Sequence, residues 1–205
     1  MRLTLHPLTP ERWSDLEALF LARGCSVARN CWCMYYRRTG ERSLVEEMTR
    51  REANRRDLKK LSGADPPAGL IGYRGGVPVG WISLGPRAGY RRLERSIVMK
   101  PVDGEPVWSI ICFVVPSQFR HQGVGRELLA GAIAYARKRR VKLLEAYPVD
   151  KRGRVADQEL WFGTKSMFDA AGFREVARRK PARPVMRLAL SRASSSPPRR
   201  RARSS

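Results

Sequence analysis

Residues 120–126 read Arg-His-Gln-Gly-Val-Gly-Arg. This cluster of donors and glycines stands between an apolar run at 108–115 (WSIICFVV) and a helical pattern that opens near Val124. A strand that feeds a loop and then a helix start makes an anion site, because the first N–H groups of a helix have no intrahelical acceptor and lie at the positive end of its dipole. Glycine at 123 and 125 removes side chains that would hold a phosphate away from those amides, and His121, Gln122 and Arg126 add donors at the rim. Two phosphate motifs are excluded by spacing. A P-loop needs Lys followed by Ser or Thr, and a dinucleotide fingerprint needs glycine at 128, where Leu128 stands. A second chemical candidate is the carboxylate of Glu145, set within the apolar run KLLEAYPV. Tyr147 lies two residues on and so faces the same side of a strand. Cys25, Cys31 and Cys33 cluster as well, but zinc knuckles favour C-x2-C, and the only histidines, His6 and His121, are elsewhere in the sequence. No metal is expected.

The elements that must position these residues follow from periodicity. Residues 2–8 alternate as a half-buried strand, and Thr9-Pro10 then caps a first helix over 10–22, with Trp13, Leu16, Leu19 and Phe20 on one face. Residues 25–40 read as irregular and rich in rings. Residues 41–61 favour a surface helix, interrupted near Asn54. Two apolar runs around Arg74-Gly75-Gly76 signal a hairpin. The run at 108–115 suits a strand covered on both faces. Leu128, Leu129, Ala132, Ile133 and Ala136 mark a helix over 124–139. Then come the KLLEAYPV strand, a short helix near 161–171 closed by Gly172, and two strands near FREVA and PVMRLAL. This order, βααβββαβαββ, predicts an α/β (α+β) fold with a mixed sheet.

The segment FVVPSQFRHQGVGRELL resembles the signature of the GNAT superfamily of acyl-CoA-dependent N-acetyltransferases, and the element order and MFDAAGFREV extend the resemblance over about residues 2–190. It implies a central sheet of six or seven strands with a splayed central pair, flanked by about four helices. It implies acetyl-CoA as co-substrate, with direct transfer of acetyl to an amine in a ternary complex. The pyrophosphate would be held by His121, Gln122, Gly123, Val124, Gly125 and Arg126, and the pantetheine arm by the exposed backbone of Phe113, Val114 and Val115. Two parted parallel strands leave ladder groups that an amide-bearing arm can fill. Glu145 stands where some members carry a glutamate base, which would take the proton an amine must lose. Many members protonate the departing thiolate with a tyrosine, whose position here is Phe168. Tyr147, Ser166, Cys112 or water are the alternatives for that task. Trp32, Met34, Tyr35 and Tyr36 are placed at the acceptor pocket or in ordinary packing. Glu94, Asp103 and Glu105 are placed as attractors of a cationic amine or as solvated loop charges. A non-catalytic acyl-CoA sensor is the alternative that Phe168 favours.

Lys and Arg total 41 against 19 Asp and Glu, a formal net charge of +22. Such a chain attracts phosphates, so a basic nucleic-acid-associated protein is a further alternative, although finger cysteines and RNP-type strands are missing. Residues 191–205 hold five arginines and no acid, a composition that predicts a disordered tail with weak, non-specific nucleic-acid contact beyond a 1–190 domain. The N-terminal residues are charged and broken by prolines, unlike a signal peptide, and no apolar stretch approaches the ~18 residues of a membrane span. These features predict a cytoplasmic protein, monomer or homodimer, without a membrane partner. Its four cysteines are expected to be reduced.

Overall fold

The computed structural model describes residues 3–38, 49–150 and 161–190. The predicted tail at 191–205 and the front of the expected second helix, 41–48, lie outside the described residues. One mixed sheet of seven strands carries the fold. Its strands are β1 (Thr4–Pro7), β2 (Leu70–Arg74), β3 (Val77–Pro86), β4 (Trp108–Val114), β5 (Leu143–Ala146), β6 (Arg174–Lys180) and β7 (Arg183–Ala189). They lie in the order β1-β2-β3-β4-β5-β7-β6. Every neighbouring pair is antiparallel except β4 and β5.

Five α-helices accompany the sheet among the described residues: α1 (Trp13–Leu21), α2 (Ser26–Cys31), α3 (Arg50–Lys60), α4 (Val124–Lys138) and α5 (Lys165–Ala170). The α+β reading and the seven strands agree with the sequence. The extra helix is α2, which forms in the ring-rich segment expected to be irregular. α3 does not break at Asn54. The buried Asn54 amide donates to the Asn30 carbonyl at 3.0 Å, so a residue that reads as a breaker is spent on tying α3 to α2. Thr49 starts α3 with a capping box, its Oγ1 accepting from the Glu52 N–H while the Glu52 carboxylate accepts from the Thr49 N–H at 2.9 Å.

Apolar clusters sit on both faces of the sheet. On one face α4 lays Leu128, Leu129, Ala132, Ile133 and Ala136 against Val79, Ile82, Ile110 and Leu144. The approach is close because Gly80 on β3 carries no side chain: a Cβ there would stand 2.9 Å from Leu128 and 3.1 Å from Val124. On the other face Trp13, Leu16 and Phe20 of α1 pack with Trp32, Leu58 and Trp81. Trp32 stacks between Trp13 and Phe20, with ring centroids 5.8 and 5.1 Å away.

The parallel ladder of β4 and β5 is short. It runs from Trp108 opposite Leu144 to Ile110 opposite Ala146. Past that point the chain after β5 turns to another partner: Val149 N–H donates to the Gly163 carbonyl and Lys165 N–H donates to the Val149 carbonyl, both at 2.9 Å. β4 continues to Val114 paired only with β3. The central strands are therefore splayed, and the splay has a local cause.

Candidate active site

A cavity of about 620 Å3 opens at the splay. Ile111, Cys112, Phe113, Val114 and Val115 form one wall, and the start of α4 forms its head through His121, Gly123, Val124 and Gly125. α2 and the residues around it supply a second wall, and Trp161, Gly163, Thr164 and Met167 a third.

The head of the cavity is built by backbone conformation. Gly123 is the N-cap of α4 with φ 78°, left-handed backbone that favours glycine, and His121 shares that region at φ 59°. No atom lies within 4 Å of where a Gly123 Cβ would be, so the space in front of the cap is open. The N–H groups of Arg126 and Glu127 already donate to the Gly123 carbonyl, at 3.0 and 3.1 Å. Among the described residues, none of the five amides of 121–125 makes a well-formed hydrogen bond to a protein acceptor. Unpaired donors at a helix head are an anion cradle. Arg120 braces the loop from behind, donating from Nε to the Val115 carbonyl at 3.1 Å and from Nη2 to the Gly24 carbonyl at 2.6 Å.

Of the residues expected to hold the cofactor, Phe113, Val114, Val115, His121, Gly123, Val124 and Gly125 line the cavity. Gln122 and Arg126 do not. The Gln122 side chain is held by the Gln118 carbonyl at 2.7 Å and by Arg74 at 3.3 Å, and Arg126 has spent its amide within the cap.

Glu145 and Tyr147 lie outside this cavity, at the closed end of the β4–β5 pair. Glu145 is fully buried, with one carboxylate oxygen accepting from Arg87 at 2.8 Å and from the Tyr147 hydroxyl at 2.6 Å. Its other oxygen accepts from Arg187 Nε at 2.8 Å. The Tyr147 hydroxyl is also within 2.6 Å of Arg87 and 3.1 Å of Ser109. Burial, and then the Glu145 charge, push the Tyr147 phenol well above its ordinary value. Three donors, two of them guanidinium groups, thus hold this carboxylate away from the cavity lining. Asp103 and Glu94 extend this network, pairing with Arg187 at 2.9 Å and with Arg87 at 3.0 Å, and Glu105 donates its N–H to Asp103. None of these three loop acids lines the cavity.

Phe168 is buried between Phe113 and Phe173, with centroids at 6.2 and 5.0 Å. It brings hydrocarbon and no hydroxyl to this place. Ser166 pairs with Thr164 at 3.1 Å, and only Thr164 reaches the cavity. Tyr35 and Tyr36 line the cavity as expected of pocket residues, whereas Trp32 and Met34 belong to the buried cluster under α1. Sequence reasoning noted the cluster of Cys25, Cys31 and Cys33 and offered Cys112 as one possible acid, but it did not bring them together: all four line this one space. The short spacing C-x5-C-x-C was the available signal, and only the fold shows that β4 adds a fourth. Among the described residues no three His, Cys, Asp or Glu side chains converge as a metal site.

The sequence profile of the acetyltransferase (GNAT) family matches residues 29–157. This chain belongs to the GNAT acetyltransferase family. No curated protein matches it in sequence. Its fold is similar to that of ribosomal-protein-alanine N-acetyltransferase from Brucella melitensis, at 22% identity and TM-score 0.51, covering 91% of this chain and 99% of that one. An acetyltransferase from Thermus thermophilus is 20% identical with TM-score 0.52, covering 93% of this chain and 98% of that one. A chain of the NatC complex bound to Gag peptide and CoA is 14% identical with TM-score 0.50, covering 93% of this chain and all of that one (100%). GNAT enzymes use acetyl-CoA and acetylate amines. Among the described residues no helix is long and apolar enough to cross a membrane.

Proposed function

We propose that this GNAT chain is an N-acetyltransferase that binds acetyl-CoA across the splay and transfers acetyl directly to an amine held in the same cavity. The observation that carries the reading is the run of unengaged amides at 121–125, placed at the head of a cavity whose long wall is the unpaired edge of β4. Those amides and the helix dipole suit a diphosphate. The β4 backbone at 113–115 suits the amides of a pantetheine arm, which would lie beside it as an added strand. Bound there, acetyl-CoA would supply an activated acyl group, and the chain would orient it and exclude water from it.

Within this reading Glu145 is a strut and not the base. Its buried ion pairs with Arg87 on the β3 side and Arg187 on β7 clamp the closed end of the splay, and Tyr147 fills the space between them. The acetyl end lies toward Cys112, where Tyr35 and Tyr36 from the wall beside α2 and Trp161 from the third wall offer flat apolar surface to the acceptor.

The test is consumption of the acetyl-CoA thioester, followed by its ultraviolet absorbance, with a panel of arylamines, amino acids, polyamines and peptide N-termini. The expected result is acetylated product with at least one acceptor class and binding of acetyl-CoA by calorimetry. Binding without turnover across the panel would indicate an acyl-CoA sensor instead.

A further inference from the structure

Two walls of the cavity are joined by rings. Tyr35 meets Tyr36 edge-on, with centroids 4.9 Å apart, Tyr36 meets Phe162 at 5.7 Å, and Phe162 meets Trp161 at 6.1 Å. Tyr36 belongs to the wall beside α2 and Trp161 to the third wall, so the train of contacts crosses from one to the other. Phe162 is buried, whereas Tyr35 is 53% and Trp161 36% exposed. Neighbouring large rings left open on the lining of a cavity offer a surface that another ring covers well.

Resting on the N-acetyltransferase reading above, we propose that the acceptor is an aromatic amine, its nitrogen bonded directly to the ring, seated among Tyr35, Tyr36 and Trp161.

Charge around the rings favours such an acceptor over a cationic one. The Arg92 guanidinium lies 4.1 Å over the Tyr35 ring, and that of Arg183 lies 4.0 Å over the Phe162 ring. The Arg92 N–H donates to the Tyr36 carbonyl at 3.1 Å, which fixes its segment beside the rings. No Asp or Glu among the described residues lines the cavity, and the acids of the neighbouring loop are engaged, Glu94 with Arg87 and Asp103 with Arg187. An ammonium group arriving here meets two cations behind the rings and no carboxylate on the lining. Losing its hydration without a partner is costly.

Proton chemistry points the same way. Attack on a thioester needs a nitrogen with a free lone pair, and a lysine-type amine, with a pKa near 10.4, arrives protonated and requires a base. An arylamine shares its lone pair with the ring and is neutral at pH 7, so it arrives ready. Glu145 is clamped away from the lining, Phe168 has no proton to give, and His121 stands in the anion loop. Burial raises Cys25, Cys31 to about 11 and Tyr36 to about 12, and Cys112 is raised as well, so these groups keep their protons at pH 7. Cys33 is drawn the other way, first by Cys112, and its sulfur is occupied by the Trp81 indole N–H at 3.3 Å.

The step balances without a protein acid or base. As the nitrogen–carbon bond forms and the carbon–sulfur bond breaks, the nitrogen becomes cationic and strongly acidic. Its proton passes to the departing thiolate, directly or through one water, leaving an anilide and the free thiol of coenzyme A.

The experiment gives the full-length protein acetyl-CoA with aniline or benzylamine, whose rings are alike and whose nitrogens differ by one intervening carbon, and follows thiol release between about pH 6 and 9. For aniline kcat/KM is expected to stay level with pH. For benzylamine it should rise about tenfold per pH unit, as its neutral fraction does, and lie about 100-fold below aniline at pH 7. Tyr35→Leu and Trp161→Ala alter exposed rings, so both variants should fold and bind acetyl-CoA with wild-type affinity in calorimetry. Each should raise KM for aniline about 10-fold, and Tyr35→Phe should restore it. Benzylamine, spermidine or a lysine peptide turned over as fast as aniline at pH 7, or an unchanged KM for aniline in both ring variants, would overturn the arylamine assignment and leave the transferase reading standing. A wild type that fails to bind acetyl-CoA would overturn the transferase reading itself. Binding of acetyl-CoA with no turnover of any amine would overturn both.

Discussion

The two ends of the β4–β5 pair are built from opposite rules. At the closed end every buried polar atom of Glu145 finds a partner: two guanidinium groups and a phenol surround one carboxylate. At the open end the ladder stops after Ile110, and the amides of 121–125 are left unengaged by protein among the described residues. A folded chain pairs its buried polar groups wherever it can, so a run of unpaired donors around a cavity marks where a ligand completes the structure. In the reading proposed here the acidic residue that looks most like chemistry belongs to the scaffold, and the backbone that looks featureless receives the cofactor.

Substitutions can break this contrast at either end, and the largest effect is expected at the open one. Gly123→Asp puts a negative charge and a side chain in front of the cradle, on left-handed backbone, and should abolish acetyl-CoA binding in a calorimetric titration. Unchanged affinity would remove the loop from the site. At the closed end, Glu145→Ala leaves Arg87 and Arg187 buried without their shared partner. Breaking a buried pair from one side costs about 3–5 kcal/mol, which chemical denaturation would register. The folded fraction of that variant should still bind acetyl-CoA as the wild type does. A base at Glu145 would give the reverse pattern, with stability kept and the rate lost.

How much of this could be read beforehand differs between the same two ends. The loop and α4 were legible because glycine placement and the 3.6-residue stripe of Leu128, Leu129, Ala132, Ile133 and Ala136 are local signals. Glu145 was not legible in its role. Strand alternation tells which face a carboxylate takes, but its guanidinium partners are 58 residues before it and 42 after it in the chain. The thiol wall was hidden for a related reason. Cys33 meets Trp81, and lines one cavity with Cys112, because a short helix, absent from the sequence reading, docks against β3 and ends in a left-handed turn.

Smaller perturbations sharpen the contrast. Gly123→Ala meets open space, so only the backbone penalty of left-handed φ applies, roughly 1–2 kcal/mol of stability. Its acetyl-CoA binding should weaken far less than in Gly123→Asp, because no charge enters the cradle. The mildest test concerns Tyr36 in the cavity wall, whose phenol burial pushes up to about 12. Between the ordinary value of about 10 and that figure the unfolded chain has lost a proton that the folded chain keeps, so stability falls as pH rises. Tyr36→Phe should make the alkaline loss of stability between these two pH values shallower, as followed by denaturation at each pH.

The central claim is that the unengaged amides at the open end receive the cofactor. The most direct measurement follows backbone amide resonances of the full-length protein while acetyl-CoA is added. Large shifts are predicted for residues 113–115 and 121–125, with Ser109, Glu145 and Tyr147 nearly still. Shifts centred on the Glu145 network, with the 121–125 amides unmoved at saturation, would contradict the claim.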